Sequence, residues 1–335
     1  MEKKIVLKDI AKKAGVSTTL VSYVLNNQKG NRINKETARK IRDIAKELNY
    51  RTNQVAKSLK TNKTFTIGVI VADISNPFSA NLVRILEDEA ERDNYTVIFG
   101  SSDENLQKFR KLIDTLINRQ VDGLIISPPS HAETDLENLR QKGIPFVLLD
   151  RYFIDIKTSY VALDNFNASR EAVMHLIGKG RKRIGMIAYQ SELFHLQERT
   201  RGYISALKES KIGFEPRRLK EIDINNYKSE IETAIDDMLS SDYSPDAILL
   251  GSNKIANSSL KYINSLPLKV PEDLAIVSFD QAEILDLFYV PITYIKQPLQ
   301  EMGQMAIKIL LEEINNSNTI SQVNMKGELV IRDST

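Results

Sequence analysis

The chain has 335 residues, of which 42% are hydrophobic and 27% charged, with a net charge of +2. This composition is that of an ordinary globular protein, and the length fits two domains with room for a small appendage. The absence of cysteine excludes disulfides and zinc–thiolate sites. No apolar run is long enough for a signal peptide or a membrane span, so we expect a cytoplasmic protein with no membrane partner.

The small net charge hides a strong asymmetry along the chain. Residues 1–63 contain 12 Lys and 4 Arg against 2 Asp and 3 Glu, a net charge of +11, which leaves −9 for the remainder. A compact basic region on an acidic body is typical of a nucleic-acid binder with a separate regulatory or catalytic module. The alternative is that the lysines only aid solubility.

The first elements predicted in the chain are two short helices. Apolar residues at helical spacing predict a helix over 7–15, which Gly15 ends with a tight turn that Val16 fills. Ser17 is placed to cap the second helix. The predicted buried stripe of that helix is Leu20, Val21, Val24 and Leu25. Its opposite face carries Thr18, Thr19, Ser22, Tyr23 and Asn26.

A third helix, predicted from Lys35 to Leu48 and capped by Asn34, completes a helix-turn-helix unit over residues 1–50. The second helix of such a unit enters the major groove of DNA. Ser17, Ser22 and Asn26 are then expected to donate to phosphates. Thr18, Thr19 and Tyr23 are expected to reach bases. The alternative is that the three helices form a protein-docking module.

Residues 51–63 form a candidate hinge. Val55, Ala56 and Leu59 share one face of a two-turn helix, a length that is marginal in water without a partner. The segment either becomes helical against DNA, with Leu59 wedged between base steps in the minor groove, or remains a flexible linker. Pattern alone does not decide between these two hypotheses.

The strings LKDIAKKAGVSTTLVSYVLN, INKETARKIRDIAKELNY and NQVAKSL resemble the DNA-binding region of the lactose-repressor/galactose-repressor family. The resemblance implies DNA contacts at Asn53, Ala56 and Leu59. Three positions depart from the usual family residues: Tyr23 stands for arginine, Thr52 for proline and Gln54 for arginine. The segment NNQKGNRI is also slightly long.

From residue 64 onward, apolar strand-length runs alternate with amphipathic helices in two successive cycles. This pattern predicts an α/β body (64–335) of two Rossmann-like parallel-sheet subdomains with a cleft between them. We expect one subdomain over about 64–162 and 298–323, and the other over about 163–297 and 324–335. The resemblance implies a fold similar to periplasmic sugar-binding proteins, with an effector in the cleft.

Polar residues follow the predicted strands, where ligands of parallel sheets bind. The resemblance places effector contacts at Arg199, in RTRGY, and at Asp280, in SFD. Further cleft positions that match the family are Asn76, Phe78, Asp150, Ser252 and Gln297. The string GSNK departs from the usual A-N-D at Ser252 and Asn253. For any one of these residues the alternative is a turn cap or a surface ion pair.

The sequence contains few residues in the patterns typical of catalytic or metal-binding sites. His131, His175 and His195 lack metal-ligand spacing, and we expect no cofactor and no metal. The glycines of GKGRKRIG follow a helix and precede a strand, the reverse of a nucleotide-binding motif, so a simple turn is expected.

The sequence therefore predicts a transcription regulator, with a repressor expected, controlled by a small-molecule effector, a sugar or sugar derivative. We expect a homodimer on a two-fold symmetric site of double-stranded operator DNA, with no added tetramerisation helix. Alternatives are a purine- or co-repressor-responsive regulator of the same family, a solute-binding protein, and an enzyme acting on a sugar in the cleft.

Overall fold

The computed structural model describes residues 5–25, 33–50, 63–224, 226–240, 244–315 and 319–335. The chain forms two compact units, Met1–Thr64 and Phe65–Thr335. Asn26 and most of the predicted hinge, with Asn53, Ala56 and Leu59, lie outside the described residues.

In its described residues the first unit contains three helices, which confirms the predicted helix-turn-helix arrangement. They are α1 (Leu7–Ala14), α2 (Thr18–Leu25) and α3 (Lys35–Glu47). Gly15 ends α1 at φ +71°, a backbone conformation that glycine adopts without strain. Ser17 Oγ accepts from the Leu20 amide at 3.2 Å, and Asn34 Oδ1 from the Glu36 amide at 2.8 Å. Both predicted caps are therefore present.

One small hydrophobic core holds the three helices together. Ile10 and Ile41 are fully buried at its centre, and Val21 joins them from α2. Because Ile10, Val21 and Ile41 come from different helices, this core fixes the orientation of α2 and leaves its Thr18–Thr19 end exposed.

The second unit contains two sheets, each of six strands in the described part of the chain. The first sheet has the order β11-β5-β4-β3-β1-β2, all parallel. Its strands are β1 (Thr66–Val71), β2 (Thr96–Ser101), β3 (Gly123–Ile126), β4 (Phe146–Leu149), β5 (Tyr160–Leu163) and β11 (Gln322–Met325). Its helices are α4 (Pro77–Arg92), α5 (Leu106–Asn118), α6 (Glu133–Gln141) and α12 (Leu299–Ile314).

The second sheet repeats the plan in the order β12-β10-β9-β8-β6-β7, with only β12 antiparallel among its described strands. The strands are β6 (Ile184–Tyr189), β7 (Leu219–Ile222), β8 (Ala247–Leu250), β9 (Ala275–Phe279), β10 (Thr293–Lys296) and β12 (Glu328–Val330). The helices are α7 (Asn165–Gly178), α8 (Phe194–Glu209), α9 (Tyr227–Leu239), α10 (Asn253–Ile263) and α11 (Glu283–Leu287).

The chain passes between the sheets three times, after β5, between β10 and α12, and between β11 and β12. The first sheet with its helices is called the N-lobe below, and the second the C-lobe. Strands β5 and β11 run to Leu163 and Met325. These ends lie slightly beyond the subdomain limits expected at 162 and 323, because the two strands pair along their full lengths.

Each sheet is covered on both faces, as near-continuous apolar strands require. Four buried clusters result, two per lobe. Val69 and Ile70 of β1 lie on opposite faces of the first sheet, and Ile276 and Val277 of β9 lie on opposite faces of the second. Helix α8 packs closely on α7 because Gly202 has no side chain, and a Cβ there would lie 2.2 Å from the Phe166 carbonyl oxygen. This close packing fixes the helix that carries Arg199.

Candidate functional site

A cavity lies between the two lobes, at the carboxyl ends of strands from both sheets. Its volume is about 80 Å³. The sheets contribute the residues that follow their strands, including Asp73 after β1, Asp150 after β4 and Asp280 after β9. The carboxyl ends of parallel strands meet at one edge of a sheet, so two facing sheets place two sets of polar residues around one space.

All seven cleft residues predicted from the sequence line this one cavity. They are Asn76, Phe78, Asp150, Arg199, Ser252, Asp280 and Gln297. Two of them also cap helices, since Asn76 accepts from the Phe78 amide and Ser252 from the Ile255 amide. Their contact with an effector stays a prediction.

Asp150 and Asp280 occupy equivalent places in the two lobes. Each follows the third strand in the order of its sheet, β4 or β9, and each adopts a positive φ, +70° and +67°. Aspartate tolerates this left-handed conformation better than most residues, although at some cost in strain. The turn directs a carboxylate from each lobe toward the same cavity, and each of these two residues is 7% exposed.

Arg199 is the buried cation of the C-lobe. Its Nε donates to Asn165 Oδ1 and its Nη1 to the Gly251 carbonyl, both at 2.8 Å. The guanidinium lies 4.1 Å from the centre of the Phe279 ring and 4.0 Å from Asp280 Oδ2. Arg199 therefore pairs with Asp280 inside the molecule, and the surface ion pair considered from the sequence is excluded for these two residues.

In the described part of the chain, the groups that hydrogen-bond or pair with the Asp280 side chain belong to the C-lobe. Gln297 Nε2 donates to its Oδ1 at 2.6 Å, and the Asn253 amide approaches its Oδ2 at 3.4 Å. Among the described residues, this carboxylate therefore has no partner from the N-lobe.

The N-lobe contributes a second arginine, Arg151. Its two Nη atoms donate to the carboxylate of Glu104 at 2.7 and 2.8 Å in a bidentate pair. Arg151 Nε lies 3.8 Å from Asp150 Oδ2, beyond hydrogen-bond range. Glu104 is therefore the main ion-pair partner of Arg151. Asp150 receives no hydrogen bond from the described side chains.

Two polar contacts join the lobes across the cavity. Lys254 on α10 forms an ion pair with Asp73, and both side chains are partly buried. Next to it, Asn253 Nδ2 donates to Asn76 Oδ1 at 2.7 Å. Ligand entry that separates the lobes must break both contacts.

Burial shifts the titration of several groups around the cavity. Burial raises the pKa of the Asp150 carboxyl to about 6, against the lowering effect of Arg151 and Arg199. Burial, together with the charges of Arg151 and Arg199, lowers the pKa of His195 well below its ordinary value. His195 is therefore neutral at pH 7.

Unpartnered polar atoms are concentrated at this site. Six buried side-chain nitrogen or oxygen atoms lack a hydrogen-bond partner in the described residues. Four of them belong to residues of the cavity lining: Arg151 Nε, Tyr189 Oη, His195 Nδ1 and Gln297 Oε1. An unsatisfied buried polar atom costs about 1–3 kcal/mol, so this concentration indicates a place where a ligand supplies the missing partners.

The structure adds residues to the site that sequence reasoning did not single out. Asp73, Glu104 and Arg151 stand two or three residues beyond the ends of β1, β2 and β4, in the region where ligands of parallel sheets bind. His195 and Lys254 lie in the first turns of α8 and α10. No spacing in the chain marks these two residues, because only the approach of the lobes brings them to the cavity.

The predicted DNA-contacting face of α2 is accessible within its own unit. Ser17, Thr18 and Thr19 are exposed, and Ser22 and Tyr23 are half-buried. Val21 and Val24 face the core, so the hydroxyl residues and the apolar stripe occupy opposite sides of the helix as predicted. Their contacts with phosphates and bases remain predictions.

The other sequence expectations concern metals, membranes and the glycine turn. The described residues contain no group of three or more His, Cys, Asp or Glu that suits a metal ion. Within the same residues no helix has the length and hydropathy to cross a bilayer. GKGRKRIG forms the turn from α7 to β6, as expected.

A helix-turn-helix unit together with a two-lobed body that encloses a polar cavity defines a transcription regulator. Residues 6–53 match the model described as bacterial regulatory proteins, lacI family, and residues 173–335 match a periplasmic binding protein-like domain. The chain is 32% identical to catabolite control protein A of Priestia megaterium, over 98% of both chains. It is 30% identical to the ribose operon repressor of Haemophilus influenzae, over 93% of this chain and 92% of the relative.

The structure resembles that of the lac repressor dimer bound to operator and an anti-inducer, with a TM-score of 0.86, 23% identity and 99% coverage of both chains. This likeness concerns the fold. From the sequence relatives, the chain belongs to the lacI family of bacterial regulatory proteins. It is a transcription regulator and not an enzyme.

Proposed function

We propose that the protein represses transcription by binding operator DNA through α2, and that a small molecule in the inter-lobe cavity sets its operator affinity. The proposed effector is a sugar or sugar derivative. The observation that carries the proposal is the concentration of unpartnered buried polar atoms at a cavity between two lobes. Hydroxyl groups donate and accept hydrogen bonds, so a polyol suits such a set.

The effector acts through the separation of the lobes. The cavity of about 80 Å³ is smaller than the roughly 300 Å³ at which small-molecule pockets begin. A sugar therefore requires an arrangement in which the Lys254–Asp73 pair opens. The ligand shifts operator affinity only by its difference in affinity for the two arrangements, typically about 1–3 kcal/mol.

On DNA, we assign Ser17 and Ser22 to phosphates, and Thr18, Thr19 and Tyr23 to base edges. The exposure of Thr18 and Thr19 and the net charge of +11 over residues 1–63 support this assignment. A cytoplasmic location is part of the proposal, since operator DNA lies there. Asn26, Asn53, Ala56 and Leu59 keep the roles predicted from the sequence.

A homodimer on a two-fold operator is also proposed, because a symmetric protein reads a symmetric site. Each lobe carries an exposed apolar pair that suits an isologous interface. The N-lobe has Ile98 and Phe99 on edge strand β2, exposed by 36% and 52%. The C-lobe has Leu287 and Tyr289, exposed by 77% and 56%.

The effector proposal is tested on the full chain by a thermal-shift screen with sugars, sugar derivatives and purines. A ligand that binds only the folded protein raises the melting temperature by mass action. The proposal expects a sugar or sugar derivative to produce the shift. A shift with purines alone would transfer the effector role to that class, and no shift with any small molecule would reject effector control.

Dimerisation is tested by sedimentation of Phe99→Lys and Leu287→Lys. We expect both variants to be monomeric at concentrations where the parent chain is a dimer. Ile154→Lys, at an exposed apolar residue in the connection from β4 to β5, is the control. A monomeric parent chain, or variants that remain dimeric, would contradict the proposed interface.

A further inference from the structure

The charges of the cavity are almost completely paired before any ligand enters. Four carboxylates line it, those of Asp73, Glu104, Asp150 and Asp280. Three permanent cations face them, Arg151, Arg199 and Lys254. Since His195 is neutral at pH 7, the lining has one more acid than base.

Each cation already has its own acid. Arg151 pairs with Glu104 at 2.7 Å, Lys254 pairs with Asp73, and Arg199 lies 4.0 Å from Asp280. Opening of the lobes separates Lys254 from Asp73 for any ligand, but it leaves both charges in the lining and both arginines paired. An anionic ligand would therefore add to an existing excess of acids and would find no arginine without an acid. Its binding costs free energy, because a buried charge without a partner is strongly destabilising.

The remaining acid is Asp150. The residue is 7% exposed, and the nearest cationic atom to its carboxylate in the ion pairs of the described residues is Arg151 Nε at 3.8 Å. Among the unpartnered atoms, Gln297 Oε1 is an acceptor, and His195 Nδ1 is one in the tautomer protonated at Nε2. Arg151 Nε is an unpartnered donor. Tyr189 Oη, also unpartnered, can both donate and accept. With the Asp150 carboxylate, which receives no hydrogen bond from the described side chains, the cavity presents more unsatisfied acceptors than donors.

We propose that this cavity selects an effector that donates hydrogen bonds and carries no negative charge, and that it rejects phosphorylated and carboxylated forms of its ligand. The inference rests on the proposed function, since it assigns a chemical class to the same site. Asp150 is the residue that sets the discrimination, because it accepts from a neutral ligand and repels an anionic one.

Ligand binding then also changes the protonation of Asp150. The charged groups around this carboxyl are Arg151, Arg199, Asp280 and Glu104, and with burial they place its pKa at about 6. A donor on the ligand stabilises the ionised carboxylate and lowers that pKa. Binding of a neutral ligand near pH 6 is therefore expected to release protons.

The test is calorimetry on the full chain with matched ligand series. The probes are glucose, glucosamine, glucose 6-phosphate and glucuronate, then ribose with ribose 5-phosphate, and adenosine with its monophosphate. In each series that binds, we expect the anionic member to bind at least about tenfold more weakly than the neutral parent, or about 1.4 kcal/mol. An anionic member that binds as tightly or more tightly overturns the inference and leaves the proposed effector control standing.

If no member of any series binds, effector control by these small molecules fails and the inference fails with it. Asp150→Asn removes the charge and nearly keeps the shape, and we expect it to reduce the neutral-over-anionic preference at least about tenfold. Asp114→Asn, at an exposed position on α5, is the matched control and should keep that preference. An unchanged preference in Asp150→Asn overturns the role of Asp150.

Proton release gives a second readout that needs no variant. Titration of the neutral ligand at pH 6, in two buffers with different ionisation enthalpies, gives heats that differ when protons are released. We expect a net release with the parent chain and none with Asp150→Asn. Equal heats for the parent chain in the two buffers would contradict the inference even if Asp150→Asn failed to fold.

Discussion

The DNA-facing helix and the inter-lobe cavity use polar residues in opposite ways. In α2, Thr18 and Thr19 are exposed, and their partner on DNA brings its own charge. In the cavity, Arg199 is buried and Arg151 is nearly so, and both are paired with acids of the same lobe. An exposed surface binds a polyanion through long-range electrostatic attraction. A buried site must first pair its own charges, so it selects ligands by their hydrogen-bonding groups and net charge.

The largest expected difference between the two regions is in the salt dependence of binding. With roughly 6–10 phosphate contacts, operator affinity should fall about 10³–10⁵-fold between 50 and 200 mM salt. Effector affinity should change little, because a neutral ligand releases no condensed counterions. Anisotropy on labelled duplex and calorimetry at the same salt concentrations measure both quantities, and equal slopes would contradict the distinction.

Loss of the buried cation should be the most damaging single change to the body. Arg199→Ala leaves Asp280 without its cation, and we expect about 3–5 kcal/mol less stability for the second unit. Arg201→Ala, an exposed position on the same helix, should cost at most about 1 kcal/mol. Hydrogen exchange measured by mass spectrometry reports each unit separately. Equal losses for the two variants would contradict the burial argument.

Tyr23 tests the specificity of the DNA-facing helix. Tyr23→Ala should cost about 1–3 kcal/mol at one base-pair position and relax the choice of base there. Tyr23→Phe keeps the ring and isolates the contribution of the hydroxyl. Binding to a panel of single-position operator variants measures the effect, and a uniform loss over all sequences would make Tyr23 a phosphate contact.

The pH dependence of stability distinguishes two buried groups of the cavity. Because the pKa of Asp150 is raised to about 6, the folded state takes up a proton as pH falls from 7 to 5, and the unfolded chain does not. The parent chain should therefore gain about 1 kcal/mol relative to Asp150→Asn over this interval.

His195 should give the opposite sign. Since its pKa is lowered, the unfolded chain takes up a proton below about pH 6.5 and the folded state stays neutral. The parent chain should therefore lose stability relative to His195→Gln as pH falls. Urea denaturation at several pH values measures both differences, and a pH-independent difference for either variant would contradict its assignment.

The inter-lobe ion pair should give the smallest effect. Lys254 and Asp73 keep 31% and 21% of their side-chain surface exposed, so their coupling should be about 0.2–1 kcal/mol. A double-mutant cycle with Lys254→Met and Asp73→Asn measures it, with Lys261→Met on the exposed face of α10 as control. A coupling of zero would show that this pair does not stabilise the closed arrangement of the lobes.

Sequence reasoning recovered the parts of the molecule that depend on local pattern. The helices of the first unit and the main strands follow from periodicity, whereas the cavity positions of Asp150, Arg199 and Asp280 follow from the family resemblance. It missed four short strands, β7, β10, β11 and β12. Strands such as LKEI and QVNM lie at sheet edges, where exposed polar residues interrupt the apolar run.

The rest of the site could not be predicted, because it depends on contacts distant in sequence. Lys254 and Asp73 are 181 residues apart, and their pairing follows from how the lobes close and not from any local motif. The burial that shifts the pKa of Asp150 and of His195 arises in the same way. A strand-end rule locates polar residues, but it cannot tell which of them are already paired.

The most direct test of the central claim compares operator affinity with the cavity empty and saturated. An operator is first selected from a random duplex library with the full chain, and a ligand is taken from the calorimetric series. At fixed salt, the account predicts that ligand saturation changes operator affinity by about 5–150-fold. Identical operator affinity with and without bound ligand would contradict it.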